Sequence, residues 1–328
     1  MRILIVKLSS LGDVVHTMPA VMDIQVEFPD AQIDWVVERG FSPLVSRCSA
    51  VNRVIPCELR SWRKAFFSLD TQAQTRAQWQ TFKADLEQYA YDAILDLQGL
   101  TKSALVSWLA RTTPIGKRYA LANRTEGSGY ESPTRWVADV AVPIATHSHA
   151  VARGRLMCAN ALGYEVPAHL NYGLGQSSPK RKPLVVLVHG TSRSDKEWPL
   201  AHWFALGTRL KQSGFDVVFP HGNEAERLSS EALVNMLPGA VVWPRLSLDQ
   251  ITTEMAQCTG VVGVDSGLSH IAVALDLPHV QIYNFDTAWR TGPVGRTRQC
   301  SVVDYPTPSV DAVWRAWQGC LLASGETL

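Results

Sequence analysis

Short unbroken apolar runs alternate along the chain with segments whose apolar residues recur at helical spacing. The first run, 3–6, suits a strand buried on both faces of a parallel sheet. After small polar turn residues at 9–12, apolar positions resume at helical spacing as far as Gln25. Such an alternation of strand and helix patterns predicts a doubly wound α/β fold.

The same alternation continues through the first half of the chain. The pattern predicts strands at 32–38, 51–55 and 91–97, followed by a helix that opens near His149. A long polar region, 62–89, carries one apolar face and predicts helix. The segment 111–130 is rich in turn-forming and basic residues.

The segment 173–183 combines Gly, Ser, Pro and three bases without an apolar period, which predicts a linker. Beyond it, the strand-turn-helix order repeats. The predicted strands are 184–188, 215–219, 240–242, 261–264 and 280–283, and the last predicted helix is 310–323. A chain of 328 residues exceeds the usual size of a single core. We therefore expect two domains, 1–175 and 183–328.

Composition and charge exclude several classes of protein. Lys plus Arg is 31 against Asp plus Glu 30, so there is no overall basic field for nucleic acid. The six cysteines are dispersed without a CxxC pair, which argues against a zinc site. The opening apolar run ends at Lys7, too early for a signal peptide, and no segment is apolar enough to span a membrane. We expect a cytoplasmic protein whose membrane contact is at most peripheral.

Asp13 lies where the first strand gives way to a helix. Ligands of open parallel sheets bind beyond the carboxyl ends of the strands, so a carboxylate on this turn is a candidate base. An N-terminal carboxylate that only caps the helix and favours its dipole is the alternative. The spacing of the residues does not decide between them.

Two further strand-to-helix turns carry candidate chemistry. Thr191, Ser192 and Lys196 offer hydroxyls and one positive charge to a diphosphate, although the GxxxxGK[ST] loop is absent. Asp265–His270 follows a buried strand and opens a helix, where several N–H groups point outward. The alternatives are a solvated loop in the first case, and a capped helix with a core histidine in the second.

The segment KLSSLGDVVHTMPA, residues 7–20, resembles the N-terminal signature of the ADP-heptose:lipopolysaccharide heptosyltransferases, most nearly those that add the first heptose of the inner core. DLQGLTKSA, residues 96–104, also occurs in them. The resemblance implies a GT-B fold, with two Rossmann-like domains of mostly parallel strands facing each other across a cleft. It assigns the acceptor to the N-terminal domain and the donor to the C-terminal domain, and it implies that the last helix packs back on the N-terminal domain.

The same resemblance implies roles for individual residues. Asp13 becomes the general base, and the donor contacts are Thr191, Ser192, Lys196, Glu226, Leu246, Asp265, Ser266, Gly267 and His270. The family usually reads Asp-Thr-Gly-Leu-Ser-His where this chain has Ser266, and Gly-Pro-Thr where it has Asn284–Thr287. The expected acceptor contacts are Ser10, Arg60, Arg63, Lys64 and Arg118.

The implied reaction is inverting transfer of heptose from ADP-heptose to a Kdo residue of Kdo-lipid A. No Asp-x-Asp triplet occurs, so we expect no metal and no other cofactor, and we expect a monomer. Two alternatives stay open, namely addition of the second heptose and a nucleotide-sugar-binding protein without catalysis. A nicotinamide-dependent oxidoreductase needs GxGxxG after the first strand, and this turn supplies one glycine.

Overall fold

The computed structural model describes residues 1–59, 61–62, 72–175 and 181–325. The chain divides into two compact units, Met1–Gly173 and Leu174–Leu328. Within the described residues, each unit contains one six-stranded sheet in which all pairings are parallel. The predicted α/β class is confirmed.

The sheet of the N-terminal unit has the strand order β3-β2-β1-β4-β5-β6. Its strands are β1 (Arg2–Val6), β2 (Gln32–Glu38), β3 (Arg53–Cys57), β4 (Ala90–Asp96), β5 (Arg111–Leu121) and β6 (Val140–Val142). Its described helices are α1 (Leu11–Glu27), α2 (Ser42–Val45), α3 (Gln72–Glu87), α4 (Thr101–Leu109), α5 (Pro133–Val137) and α6 (Ala150–Leu162). The strand order reverses between β1 and β4, and that reversal is where such sheets bind ligands.

The strand β5 crosses the segment that the sequence marks as rich in turn formers. Its pairing with β4 shifts between Tyr91 and Ala93. A Cβ atom on Gly116 would collide with the carbonyl oxygen of Tyr91, so the backbones approach where only glycine fits. The irregularity breaks the alternation of apolar and polar residues, which explains why the sequence pattern missed this strand.

The sheet of the C-terminal unit has the order β12-β11-β10-β7-β8-β9. Its strands are β7 (Lys182–Val188), β8 (Asp216–Phe219), β9 (Val241–Val242), β10 (Cys258–Val264), β11 (His279–Tyr283) and β12 (Gln299–Val303). Its described helices are α7 (Leu200–Gln212), α8 (Glu224–Met236), α9 (Leu248–Ala256), α10 (Gly267–Ala274), α11 (Ala288–Thr291) and α12 (Val310–Ser324). Here the order reverses between β7 and β10, so the turns after these two strands are neighbours.

The last helix, α12, packs on the sheet of its own unit. It contacts β11, β12 and α7, and its buried face contributes Val313, Trp317 and Leu321 to that core. The Trp317 ring meets Phe215 edge to face, with centroids 6.1 Å apart. The expected contact of this helix with the N-terminal domain stays a prediction.

Nowhere in the described part of the chain does a helix combine the length and the apolar character needed to cross a bilayer.

We expect Trp317→Ala to lower the free energy of unfolding of the C-terminal unit by about 3 to 5 kcal/mol, because it removes a completely buried aromatic side chain and leaves a cavity. Denaturant unfolding followed by circular dichroism measures the change. The matched control is Leu322→Ala on the exposed face of the same helix, which should change stability by less than about 0.5 kcal/mol. Equal effects of the two substitutions would contradict this account of the helix.

Candidate functional site

Two predicted turns of the C-terminal unit meet at the carboxyl ends of β7 and β10. Lys196, on a short 3-10 turn Ser194–Lys196 after β7, reaches Asp265, which directly follows β10. Its Nζ lies 2.5 Å from Oδ2 of Asp265, and both side chains are largely buried. The turns are therefore joined by a buried ion pair, which their spacing in sequence did not predict.

Three other groups surround the second oxygen of Asp265. Oδ1 accepts a hydrogen bond from Nε2 of Gln281 at 3.2 Å, and Nε2 of His270 lies 3.3 Å away. The hydroxyl of Thr291 donates to it at 3.4 Å. Burial raises the pKa of Asp265, but the hydrogen bond from His270 and the charge of Lys196 outweigh burial and hold this pKa below its usual value. Asp265 is accordingly a fixed carboxylate at neutral pH.

The helix α10 begins immediately beside this ion pair. Ser266 occupies the N-cap position and Gly267 the first helical position. The first N–H groups of a helix lack partners within it and attract anions. The hydroxyl of Ser269 turns inward and donates to the carbonyl oxygen of Val264 at 2.6 Å. This geometry provides backbone donors next to the cationic Lys196.

Glu226 lines a cavity of about 480 Å³ together with Thr191, Ser194 and Asn223. Oε2 of Glu226 accepts from the N–H of Gly222 at 2.7 Å, which holds its carboxylate at the start of α8. A Cβ atom on Gly190 would lie 2.7 Å from Cδ of Glu226, so glycine is needed there for the approach. The cavity has the size of a small-molecule site. Of the nine predicted donor contacts, Thr191 and Glu226 line this cavity. The other seven do not, namely Ser192, Lys196, Leu246, Asp265, Ser266, Gly267 and His270.

Asn284 braces the loop that carries Lys196. Its side-chain amide donates to the carbonyl oxygens of Asp195 at 3.0 Å and Glu197 at 2.8 Å. Its own oxygen accepts from the hydroxyl of Thr307 at 2.9 Å. This is the position at which the sequence departs from the family pattern. Here the departure supplies two hydrogen bonds to the loop, and the third, from Thr307, orients the Asn284 amide.

Asp13 is the third residue of α1, at the reversal point of the N-terminal sheet. Its Oδ2 accepts from the backbone N–H of Ser10 at 3.1 Å and from the Ser10 hydroxyl at 2.9 Å. Its Oδ1 lies 3.7 Å from Nζ of Lys7 and 3.9 Å from Nη2 of Arg153. One oxygen of Asp13 therefore caps the start of α1, and the other faces two cations.

The environment of Asp13 fixes its charge. Desolvation raises its pKa, but Lys7, the N–H of Ser10 and His16 together lower it more, so the pKa lies below its usual value. The side chain is 34% exposed, whereas Lys7 and Arg153 are buried. The result is an ionised carboxylate with access to solvent, held in place by buried cations.

The expected acceptor contacts are divided between described and undescribed parts of the chain. Ser10 is exposed beside Asp13. The guanidinium of Arg118 donates to the carbonyl oxygens of Ser107 and Ala110, both at 2.9 Å. Arg60, Arg63 and Lys64 lie outside the described residues. Contact of any of these with an acceptor stays a prediction.

Within the described ranges, no three or more His, Cys, Asp or Glu side chains are grouped so as to hold a metal ion.

Sequence reasoning missed five residues that hold these two sites, namely Lys7, Arg153, Gln281, Asn284 and Thr291. Two of these residues could have been recognised from the sequence pattern, because they are polar residues in or next to a buried strand. Lys7 directly follows the buried strand β1, six residues before Asp13, and Gln281 is a polar residue inside a fully buried strand. Buried polar side chains need partners, so both indicate a polar site beyond the strand end.

Two doubly wound α/β units, each with charged side chains just beyond the carboxyl ends of its central strands, fit the GT-B fold of glycosyltransferases. The chain belongs to glycosyltransferase family 9 (heptosyltransferase), whose model matches residues 79–315. It is 38% identical over 311 residues to lipopolysaccharide heptosyltransferase 1 of Pseudomonas aeruginosa, covering 93% of this chain and 85% of that protein. Identity to lipopolysaccharide heptosyltransferase 2 of Escherichia coli is 27% over 303 residues, covering 86% of this chain and 82% of that protein.

A solved structure of the E. coli heptosyltransferase WaaC with ADP matches the fold with a TM-score of 0.84 at 34% identity. The match covers 96% of this chain and 98% of that one.

We expect Asn284→Ala to weaken binding of ADP, the nucleotide expected from the sequence, by roughly tenfold, because two carbonyl groups of the Lys196 loop lose their donor. Calorimetric titration with ADP measures the change. The matched control is Asn123→Ala, which removes an amide that bonds two carbonyls in the other unit. Unchanged ADP affinity in Asn284→Ala would show that the loop does not depend on this side chain.

Proposed function

We propose that the protein transfers L-glycero-D-manno-heptose from ADP-heptose to a Kdo residue of Kdo-lipid A, with inversion at the anomeric carbon. The observation that carries the proposal is the similarity to lipopolysaccharide heptosyltransferase 1, which is 38% identity over 93% of the chain. Identity to lipopolysaccharide heptosyltransferase 2 is 27%, which favours addition of the first heptose over addition of the second.

The C-terminal unit binds the donor in this proposal. Lys196 and the N–H groups at the start of α10 contact the diphosphate, and the hydroxyls of Thr191, Ser192 and Ser266 add polar contacts. Glu226 holds the ribose at the cavity and Leu246 contacts the adenine. Asp265 and His270 keep Lys196 and the helix start in place, an assignment supported by their buried contacts.

The N-terminal unit supplies the base. Asp13 takes the proton from the attacking acceptor hydroxyl, whose oxygen bonds to the anomeric carbon as the bond from that carbon to the diphosphate breaks. One displacement inverts the configuration, and the electron pair leaves with ADP. The lowered pKa keeps Asp13 unprotonated before the reaction, as a base must be, but it also lowers the proton affinity of the carboxylate. The position of Asp13 beyond the end of β1 is what supports the role.

Charge on the departing ADP is stabilised by Lys196 and backbone donors, which is why we propose that transfer needs no metal. We further propose that the protein acts as a monomer in the cytoplasm and meets its acceptor at the inner membrane.

Release of ADP from ADP-heptose tests the reaction directly. We expect release with EDTA present, when Kdo-lipid A is the acceptor, and no release when the acceptor already carries one heptose. Release only with the heptosylated acceptor would identify the second-heptose enzyme. A protein that binds ADP-heptose yet releases no ADP with either acceptor would be a binding protein, and restoration by Mg²⁺ would refute metal independence.

We expect Asp13→Asn to reduce turnover by about 100-fold or more while ADP affinity stays within about twofold, because the amide cannot take the proton. The amide oxygen still accepts from Ser10, so the start of α1 is preserved. Steady-state ADP release and calorimetric titration give the two quantities. Asp30→Asn, in the exposed turn after α1, is the matched control and should be silent. Turnover near the unsubstituted level in Asp13→Asn would remove Asp13 from the role of base.

A further inference from the structure

Two tryptophans of the N-terminal unit have their side chains in solvent. Trp108 on α4 is 63% exposed and Trp136 on α5 is 80% exposed. Elsewhere in the chain, Trp35, Trp203 and Trp317 are completely buried. Large aromatic side chains normally contribute their area to a core or an interface, so two exposed ones indicate a binding surface.

The two tryptophans lie on neighbouring helices. The helices α4 and α5 pack against each other, and α4 turns Leu105 outward together with Trp108, one turn apart. Arg118 fastens both helix ends, because its guanidinium bonds the carbonyl of Ser107 and its backbone exchanges hydrogen bonds with Asp139, just after α5. We call Leu105, Trp108 and Trp136 the two-tryptophan surface.

The segment that carries this surface is basic, although the whole chain is nearly neutral at +1. Residues 101–140 contain six bases and three acids. Arg111, Lys117 and Arg135 are exposed close to the tryptophans in sequence. Of the three acids, Asp139 pairs with Arg118, and Glu131 accepts a hydrogen bond from the N–H of Thr101. Arg111 follows Trp108 by three residues and Arg135 directly precedes Trp136, so each indole ring has an exposed base near it.

We propose that the two-tryptophan surface binds the surface of an anionic phospholipid bilayer. Tryptophan favours the headgroup region, where its ring is buried and its N–H stays hydrated. Bases near that surface are attracted by anionic lipid headgroups within a Debye length. The protein docks without spanning the bilayer, as amphipathic surfaces do. Because the proposed acceptor is a lipid, this inference deepens the proposed function by naming the face that meets its membrane.

The positive charge is what favours a membrane over a protein partner. Protein interfaces are enriched in tryptophan and depleted of lysine, and their cores exclude charge. A surface with two tryptophans surrounded by bases instead matches the headgroup layer, where both groups are accommodated together.

Sedimentation with large unilamellar vesicles tests the proposal on the whole protein without either substrate. The vesicles contain phosphatidylethanolamine with one quarter phosphatidylglycerol, or phosphatidylcholine alone. We expect binding to the anionic vesicles, weaker by at least tenfold for phosphatidylcholine, and reduced by salt. The double variant Trp108→Ala/Trp136→Ala should lose at least tenfold in partition coefficient. Lys117→Glu/Arg135→Glu should lose binding to the anionic vesicles specifically.

The matched control is Tyr305→Ala, which removes an aromatic side chain that is 84% exposed in the other unit and should leave vesicle binding unchanged. Equal binding by the Trp108→Ala/Trp136→Ala variant and the unsubstituted protein would overturn the proposal. So would absence of binding to both kinds of vesicle, which would direct attention to a protein partner. Vesicle binding is measured without ADP-heptose, so its failure is distinguishable from failure of the proposed reaction.

Discussion

The arrangement of the C-terminal site depends on compensating one buried charge, the carboxylate of Asp265. The carboxylate of Asp265 is buried at the end of β10 and is bonded by Lys196, Gln281 and Thr291, with His270 beside it. These groups come from four separate segments of the unit. Removing Lys196 would leave a buried carboxylate without its cation, a defect that costs several kcal/mol in proteins. The Asp265 carboxylate therefore connects the loop after β7 with α10, β11 and α11.

In the N-terminal unit the buried charges are the cations Lys7 and Arg153, and the carboxylate near them, Asp13, is partly exposed. The two cations keep Asp13 ionised, and its side chain remains partly exposed. Asp265, by contrast, has both oxygens engaged. The turn after β10 thus holds a buried carboxylate with both oxygens bonded, and the turn after β1 holds a partly exposed one.

The sequence predicted those elements whose pattern follows from burial on both faces of a sheet. Gln32–Glu38 agrees with its predicted bounds at both ends, and the last helix agrees within one residue. The strand Arg111–Leu121 was missed because its bulge at Pro114–Gly116 interrupts the pattern. At the sites, strand-to-helix turns predicted where Asp13 and Asp265 lie. Contacts between distant segments depend on how the elements pack, which spacing along one chain does not encode. The contacts of Lys196 with Asp265 and of Arg153 with Asp13 therefore required the structure.

Asn284 shows why departure from a family pattern does not by itself indicate loss of a site. Where the family usually has Gly-Pro-Thr, this chain places an amide that bonds two carbonyls of the Lys196 loop and accepts from Thr307. A buried amide satisfied on both its nitrogen and its oxygen adds stability, whereas an unsatisfied one would subtract it. The loop is consequently fastened by the unit's own side chains before any nucleotide arrives. If the proposed diphosphate contact at Lys196 forms, binding then needs less free energy for ordering the loop.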